Sequence, residues 1–357
     1  MRERDAKATT IDDIARAAGV SKTTVSRYIN GKYSMMSEET RARIGAIIQM
    51  SNYHPNSIAQ SLKTRQSHQI GVVISDISSP FSVSLIRGID HVLLDAGYVP
   101  LFVDCNDDFE LEKKLIQTLV ARRVDGLLVN TTNSKNPFLI QLACQGVPIV
   151  LCDRYVDDYK FSFVGSDFRT PVLRLVEHLR DQGYEKAAFF TQEYAANSTR
   201  ALRRKAFLEA SAIYYPRENA EEMCFLVRSD DMEGTLDAVQ RLRSSCREGG
   251  VPAVVAVNTV TALHAIAAIQ TVGLSIPDQI GVCGPDDWGW DEHVSYTRVV
   301  RPAITHYKIH PYAIGSEAAR LLLKQLREPQ SEKEEILIPV ELETRESTRL
   351  RRGTDPV

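Results

Sequence analysis

The sequence predicts an all-α helix-turn-helix headpiece followed by an α/β core of two doubly wound parallel-sheet subdomains. Three observations predict it. The stretch TTIDDIARAAGVSKTTVSRYIN, Thr9 to Asn30, writes two short helices across a tight turn. From Ile70 onward, short apolar runs alternate with amphipathic helical stretches, the pattern of a parallel sheet with crossover helices. After FSFVGSD, Phe161 to Asp167, the alternation restarts as a second series of the same kind.

Thr10 with Asp13 three residues on forms the capping pattern that satisfies the unpaired amides of a helix start, so the first helix begins near Ile11. Ile11, Ile14, Ala15 and Ala18 bury one face, and Gly19 supplies the positive backbone dihedral that ends it. Ser21 caps the second helix. Its Val25 and Ile29, four apart, face inward and leave Lys22, Thr23, Ser26 and Arg27 pointing out. That is the outline of a DNA-reading element, although the pattern alone also fits a plain helical hairpin with a solvated face. Ser37 begins a third helix, SEETRARIGAIIQMSNY, whose Ile44, Ile47 and Ile48 close a small three-helix domain, and Tyr53-His54-Pro55-Asn56 stops it. Asn56 to Leu62, NSIAQSL, is too short to hold helical form alone and is expected to order only on binding.

The first core series reads IGVVISD (strand), SVSLIRGIDHVLLDAG (helix), YVPLFVDC (strand), DFELEKKLIQTLVARR (helix), VDGLLVNTT (strand), PFLIQLACQG (helix) and VPIVLCDR (strand). The second reads helix TPVLRLVEHLRDQG, strand KAAFFTQ, helix STRALRRKAFLEAS, strand CFLVRS, helix DMEGTLDAVQRLRS, strand AVVAVN, helix TALHAIAAIQTVG and strand QIGVCGPDD.

With 357 residues, 43% hydrophobic and 25% charged, the chain has the composition of an ordinary folded protein with room for two or three domains. The net charge of −3 hides an asymmetry. Residues 1–66 carry 11 basic against 6 acidic residues, and the remainder 32 against 40. The basic end is the one expected to meet phosphate. The opening MRERDAKA lacks the apolar core of a signal peptide and no run of about 18 apolar residues exists, so a cytoplasmic protein with no membrane partner is expected. Six scattered cysteines without metal-ligand spacing are expected to be reduced, with no metal and no cofactor. No G-x-S-x-G, P-loop, H-E-x-x-H or G-x-G-x-x-G stands where catalysis would need it, so no enzyme is expected.

Residues 9–65 resemble the DNA-binding headpiece and hinge of the LacI family of bacterial transcription regulators, through TIDDIARAAGVSKTTVSRYIN, SEETRARI and NYHPNSIAQSLKT in fixed order. The resemblance implies that Lys22 and Thr23 choose the operator sequence, with Arg27 also near the bases, and that Thr10, Ser21, Thr24 and Asn30 mainly hold phosphates. It implies that the hinge pairs with its copy from a second subunit in the minor groove, Leu62 wedging between base steps and small Ala59 allowing close approach; Leu62 as a plain linker residue is the alternative. The paired halves resemble periplasmic sugar-binding proteins, whose core this family shares. On that basis the chain divides into a headpiece (1–55), hinge helix and linker (56–66), a first core subdomain (67–163 with 307–338) and a second (164–306 with 339–357). Crossings are expected near Phe161–Ser166, Thr305–Ile309 and Leu337–Val340.

In open parallel sheets ligands bind beyond the carboxyl ends of the strands. The first-half candidates are therefore Asp76, Phe81 on the loop after it, Asn130, Asp153 and Arg154. The family resemblance adds Arg203, matching an effector-clamping arginine although Ala206 replaces the usual glycine, and Asn258, the Asn of an Asn-Asp pair in which Thr259 replaces Asp. Asp286 ends the last strand. Trp288, in DDWGW, together with HPYAIG resembles regulators of 2-keto-3-deoxygluconate and hexuronate pathways; it suits stacking on a sugar ring or covering a subdomain edge. Each has a duller reading: Asp153 and Arg154 as a local ion pair, Phe81 as a core ring, Arg203 as a solvated helix residue, Asp286 as a cap. Together they suggest a sugar or sugar-acid effector. The expected function is an effector-responsive repressor binding a pseudopalindromic double-stranded DNA operator as a homodimer. The alternative is a sugar-binding or sugar-modifying protein whose helical N-terminus mediates assembly.

Overall fold

The computed structural model describes residues 9–51, 53, 66–286, 288 and 295–350. The hinge positions Asn56, Ala59 and Leu62, and Trp290, lie outside them. The chain forms two compact units, one ending at Ser67 and one beginning at His68.

The first unit contains α1 (Ile11–Ala18), α2 (Lys22–Ile29) and α3 (Glu38–Met50). Thr10 and Asp13 form a reciprocal capping box: the Asp13 amide donates to Thr10 Oγ1 at 3.3 Å and the Thr10 amide to Asp13 Oδ2 at 3.0 Å. Gly19 closes α1 at φ 64°. Ser21 and Ser37 cap the other two helices through the amides of Thr24 and Thr40. Ile14, Ala15, Ala18, Val25 and Ile44 form the buried core, with Ile47, Ile48 and Tyr53 packed on it.

The second unit holds two six-stranded sheets. The first contains β1 (Gln69–Ile74), β2 (Val99–Asp104), β3 (Gly126–Val129), β4 (Ile149–Cys152), β5 (Ser162–Ser166) and β11 (Glu335–Ile338), in spatial order β11-β5-β4-β3-β1-β2 and all parallel. The second contains β6 (Lys186–Thr191), β7 (Cys224–Leu226), β8 (Pro252–Ala256), β9 (Gly281–Asp286), β10 (Thr305–Lys308) and β12 (Glu341–Glu343), ordered β12-β10-β9-β8-β6-β7. In each sheet the chain starts inside, steps to one edge and then winds toward the other. The doubly wound switch points therefore lie between β1 and β3 and between β6 and β8.

Two details differ from the sequence-based expectation. The block boundaries at 163/164 and 306/307 cut through β5 and β10; the chain leaves the first sheet after Ser166, leaves the second after Lys308 and crosses again between Ile338 and Glu341. The second sheet is also not wholly parallel, because β12 runs antiparallel to β10, with Tyr307 opposite Leu342. A parallel neighbour needs a crossover to regain the same end of the sheet. Here β12 arrives from the other sheet through Pro339 and Val340 alone, so it enters in the opposite direction.

The long helices α4 (Pro80–Asp95) and α12 (Pro311–Arg327) cross at Gly88 and Gly315. A Cβ on Gly88 would stand 2.1 Å from the Tyr312 carbonyl oxygen, and one on Gly315 would stand 2.2 Å from that of Leu85, so only glycine lets the backbones approach this closely. Among the described residues no helix is long and apolar enough to cross a membrane.

Candidate nucleic-acid interface and ligand cleft

In the headpiece, α2 presents its N-terminal turn. Ser21, Lys22 and Thr23 are exposed, Thr24, Ser26 and Arg27 half-buried, and Val25 buried. The Lys22 ammonium meets Asp12 at 2.9 Å, but both side chains are more than half exposed, and such a pair is worth about 0–1 kcal/mol, little enough for a phosphate or base to displace Asp12. Thr10 and Ser21 spend their hydroxyls on caps, with Ser21 Oγ also 2.9 Å from Thr24 Oγ1. Asn30 donates to the Ser26 carbonyl at 2.6 Å. Two aromatic residues were not read from the sequence. Tyr28 lies against Gly45, with its ring 5.6 Å from that of Tyr33, and Arg41 covers the Tyr33 ring at 4.0 Å. They brace the segment after α2 against α3, and the YSMM sequence carries no periodic signal that would have shown it.

In the core, a polar cavity of about 340 Å³ opens at the carboxyl ends of the strands and takes its walls from both sheets. Asp76 follows β1 and Asn130 follows β3, while Gln192 follows β6 and Asn258 follows β8, so the cavity sits on both switch points. Of nine sequence-derived candidates, seven line it: Asp76, Phe81, Asn130, Asp153, Arg154, Arg203 and Asn258. Asn130 is a strut between strands, accepting from Ser75 Oγ at 2.6 Å and donating to the Cys152 carbonyl at 2.9 Å. Asp153 adopts φ 63°, a left-handed conformation that Asp tolerates better than most residues, and turns the chain sharply after β4. Asn258 caps the helix Thr259–Thr271 through the Thr261 amide at 2.8 Å and donates to Gln192 Oε1 at 2.8 Å.

Three guanidinium groups share this cavity. Arg154 donates to Asp107 Oδ1 at 3.0 Å and to the Thr131 carbonyl at 3.2 Å. Arg203, 5% exposed, donates to the Val257 carbonyl at 2.7 Å and lies 4.3 Å over the Phe168 ring, while its Nε has no hydrogen-bond partner among the described residues. Arg200 was not singled out from the sequence. Burial, and next the cation of Arg154, push its pKa down to about 10. Asp107, Asn197 and Thr199 were likewise missed, although Asn197 ahead of STRALRRKAF carried a legible helix-cap signal. The helices beginning at Pro80, Ser198 and Thr259 all place residues of their first turn on this cavity, so three positive dipole ends face it.

Asp286 and Trp288 are not brought to this cavity. Asp286 Oδ2 is held by Ser295, by Thr297 at 3.3 Å and by His306 at 3.8 Å. Trp288 packs against Tyr296, with ring centroids 5.6 Å apart, on the second-half core. All six cysteines are free thiols. Cys105, Cys152 and Cys283 are buried, which pushes their pKa values up, that of Cys105 to about 12. Among the described residues no cluster of metal-ligating side chains occurs.

The sequence profile of "Bacterial regulatory proteins, lacI family" matches residues 10–56 and that of "Periplasmic binding protein-like domain" matches residues 176–348. The HTH-type transcriptional regulator KdgR of Bacillus subtilis is 33% identical over 332 residues, covering 91% of this chain and 94% of that protein. The chain belongs to the LacI family. A second relative within it, the HTH-type transcriptional regulator PtxS of Pseudomonas plecoglossicida, is 31% identical over 342 residues, 96% of each chain. Among solved structures, the lac repressor dimer bound to operator and the anti-inducer ONPF superposes with a TM-score of 0.81 at 26% identity, covering 96% of this chain and 99% of that one. This LacI-family chain is a DNA-binding, effector-responsive transcription regulator and not an enzyme.

Proposed function

We propose that this regulator represses genes of sugar or sugar-acid metabolism in the cytoplasm, gripping a pseudopalindromic operator as a homodimer while a sugar acid in the polar cavity sets the strength of the grip. The observation that carries the ligand class is the convergence of Arg154, Arg200 and Arg203 on one cavity of about 340 Å³. Guanidinium groups hold carboxylates through paired hydrogen bonds, and three helix N-termini add to the same field. Asp76, Asn130, Asp153 and Asn258 supply partners for hydroxyls, and Phe81 supplies a ring face. A sugar acid of the 2-keto-3-deoxygluconate kind meets both demands, in keeping with the DDWGW and HPYAIG resemblance.

On the DNA side, Lys22, Thr23, Ser26 and Arg27 face base edges in the major groove, while Thr10, Ser21, Thr24 and Asn30 hold backbone phosphates. A two-fold dimer sets its recognition helices about 34 Å apart, one per half-site. The lac repressor in the matching structure is a dimer on its operator, which supports the same assembly here. Asn56, Ala59 and Leu62 complete the interface as a paired hinge in the minor groove. Ligand closing the two core halves together shifts operator affinity by a coupling of about 1–3 kcal/mol.

Calorimetric titration of the full chain with 2-keto-3-deoxygluconate and with glucose tests the ligand class. Saturable binding of the acid, absent for glucose and lost in Arg200→Ala, is expected. Equal binding of both compounds would remove the carboxylate from the account.

A further inference from the structure

The wall that the second half gives to the polar cleft has a fixed hydrogen-bonding polarity. A backbone N–H can only donate, so the side-chain amide atom that it meets is an oxygen. Asn197 caps the helix Ser198–Tyr214 by accepting from the Arg200 amide at 3.1 Å, and the same oxygen takes the Thr199 hydroxyl at 3.1 Å. Its NH2 group is the end left over. Asn258 Oδ1 accepts from the Thr261 amide at 2.8 Å, so the group that it turns to Gln192 is its NH2, and the Gln192 atom 2.8 Å away is the oxygen. Gln192 Nε2 is left over in the same way.

Neither leftover nitrogen donates to another described residue, and neither is sealed from solvent, although Asn197 as a whole is only 7% exposed. Both residues line the cleft, as do Arg200 and Arg203, whose side chains carry no acceptor. The amide and guanidinium groups of the second half therefore offer N–H donors. The first half is the reverse. It gives the lining three acids, Asp76, Asp107 and Asp153, and one arginine, Arg154, whereas the second half gives two arginines and no acid. Asp76 Oδ1 takes the Ser78 amide at 2.8 Å, and no described residue donates to its other oxygen. A carboxylate oxygen in that position takes a hydroxyl proton and repels an acid.

We propose that Gln192 and Asn197 are specificity-determining residues of the cleft and set the direction in which its ligand lies, the carboxylate on the second half against their NH2 groups and the hydroxyl tail on Asp76. This orientation rests on the cleft holding a sugar acid and holds for any member of that class. Arg200 adds charge at the acid end, and Arg154 is near enough for its cation to act on Arg200, so an anion placed there feels both. The two NH2 groups supply what charge alone does not. They require an acceptor at a fixed place and disfavour a ligand that brings a donor to it, because two hydrogens would then meet.

The test titrates the full-length protein by calorimetry with 2-keto-3-deoxygluconate and with 2-keto-3-deoxypentonate, which keeps the acid end and is one CHOH unit shorter at the other. Gln192→Met fills similar space without a donor. Asn197→Asp turns the NH2 into an oxygen and keeps the helix cap, so its melting temperature stays at that of the parent. Each variant is expected to bind both acids about tenfold more weakly, by the same factor for the two, because the compounds share the end that these residues meet. A smaller loss on the shorter acid would put the residues at the hydroxyl tail and overturn the orientation. Full affinity in both variants would overturn the assignment while the sugar-acid reading stood, whereas a parent that binds neither acid would remove both.

Discussion

Asp107 holds Arg154 at 3.0 Å across the edge of the polar cleft, from a turn in which Asn106 and Asp107 both adopt left-handed backbone conformations, φ 49° and 51°. The carboxylate thus occupies a guanidinium that a ligand carboxylate would also seek. Its side chain is 43% exposed while that of Arg154 is only 12% exposed. The acid is the partner with an easy way out.

Competition of this kind has a direction. In Asp107→Asn the internal anion is gone, so the affinity for a sugar acid rises several-fold while that for an uncharged sugar stays unchanged. Paired calorimetric titrations of parent and variant check it, and a fall in acid affinity would mean that Asp107 serves to aim Arg154.

Arg203→Ala removes a buried guanidinium with an unused Nε. A charge-assisted hydrogen bond is worth about 1.5–3 kcal/mol, so ligand affinity drops at least about tenfold. Operator affinity without ligand stays at the parent value, because Arg203 lies in the core and the proposed DNA contacts do not include it. Fluorescence anisotropy on operator DNA, with and without ligand, reads both quantities.

Lys22 and Thr23 stand exposed at the start of the recognition helix. Their replacement by alanine costs about 1–3 kcal/mol on the cognate operator and relaxes base preference at the contacted positions. Leu62→Ala, in the hinge, weakens specific binding far more than non-specific binding, since only the bent operator rewards a wedge. Competition with unrelated duplex DNA separates the two effects.

Burial is the main reason that the His306 imidazole sits below its ordinary 6.5; the Ile304 carbonyl and the charge of Asp286 act the other way. As pH falls through about 6.5 the unfolded chain takes up this proton before the native one does. Stability from this group is therefore complete above that pH and declines below it, until native His306 protonates. Urea melts at about pH 7.5 and about pH 5.5 should show a smaller difference for His306→Asn than for the parent.

At Gly88, a methyl group has nowhere to go but into the Tyr312 carbonyl. Gly88→Ala forces α4 and α12 apart at a cost of about 1–3 kcal/mol, visible as a lowered melting temperature.

The headpiece was legible because its signals are local. The Thr10–Asp13 box, Gly19 and Ser21 declare their helix ends within four residues. The polar cleft was legible in part. Strand ends point at it, which located Asp76, Asn130, Asp153 and Arg154, and the family resemblance added Arg203 and Asn258, but Arg200 and Asp107 reach it from a helix turn and a left-handed loop, whose aim no periodicity encodes. Asp286 shows the opposite limit. It ends a strand as expected, yet Ser295, Thr297 and His306 arrive from elsewhere in the chain to engage it. The antiparallel β12 was invisible for a similar reason, since strand direction depends on which sheet the chain has just left.

The most direct measurement is operator affinity of the full chain as a function of sugar-acid concentration, by fluorescence anisotropy on a labelled pseudopalindromic duplex, with Arg203→Ala in parallel. The account predicts that 2-keto-3-deoxygluconate shifts the parent's operator affinity by about fivefold or more, and that the variant needs at least about tenfold more of the acid for the same shift. An operator affinity that stays constant in the parent while calorimetry shows the cleft filled would contradict it.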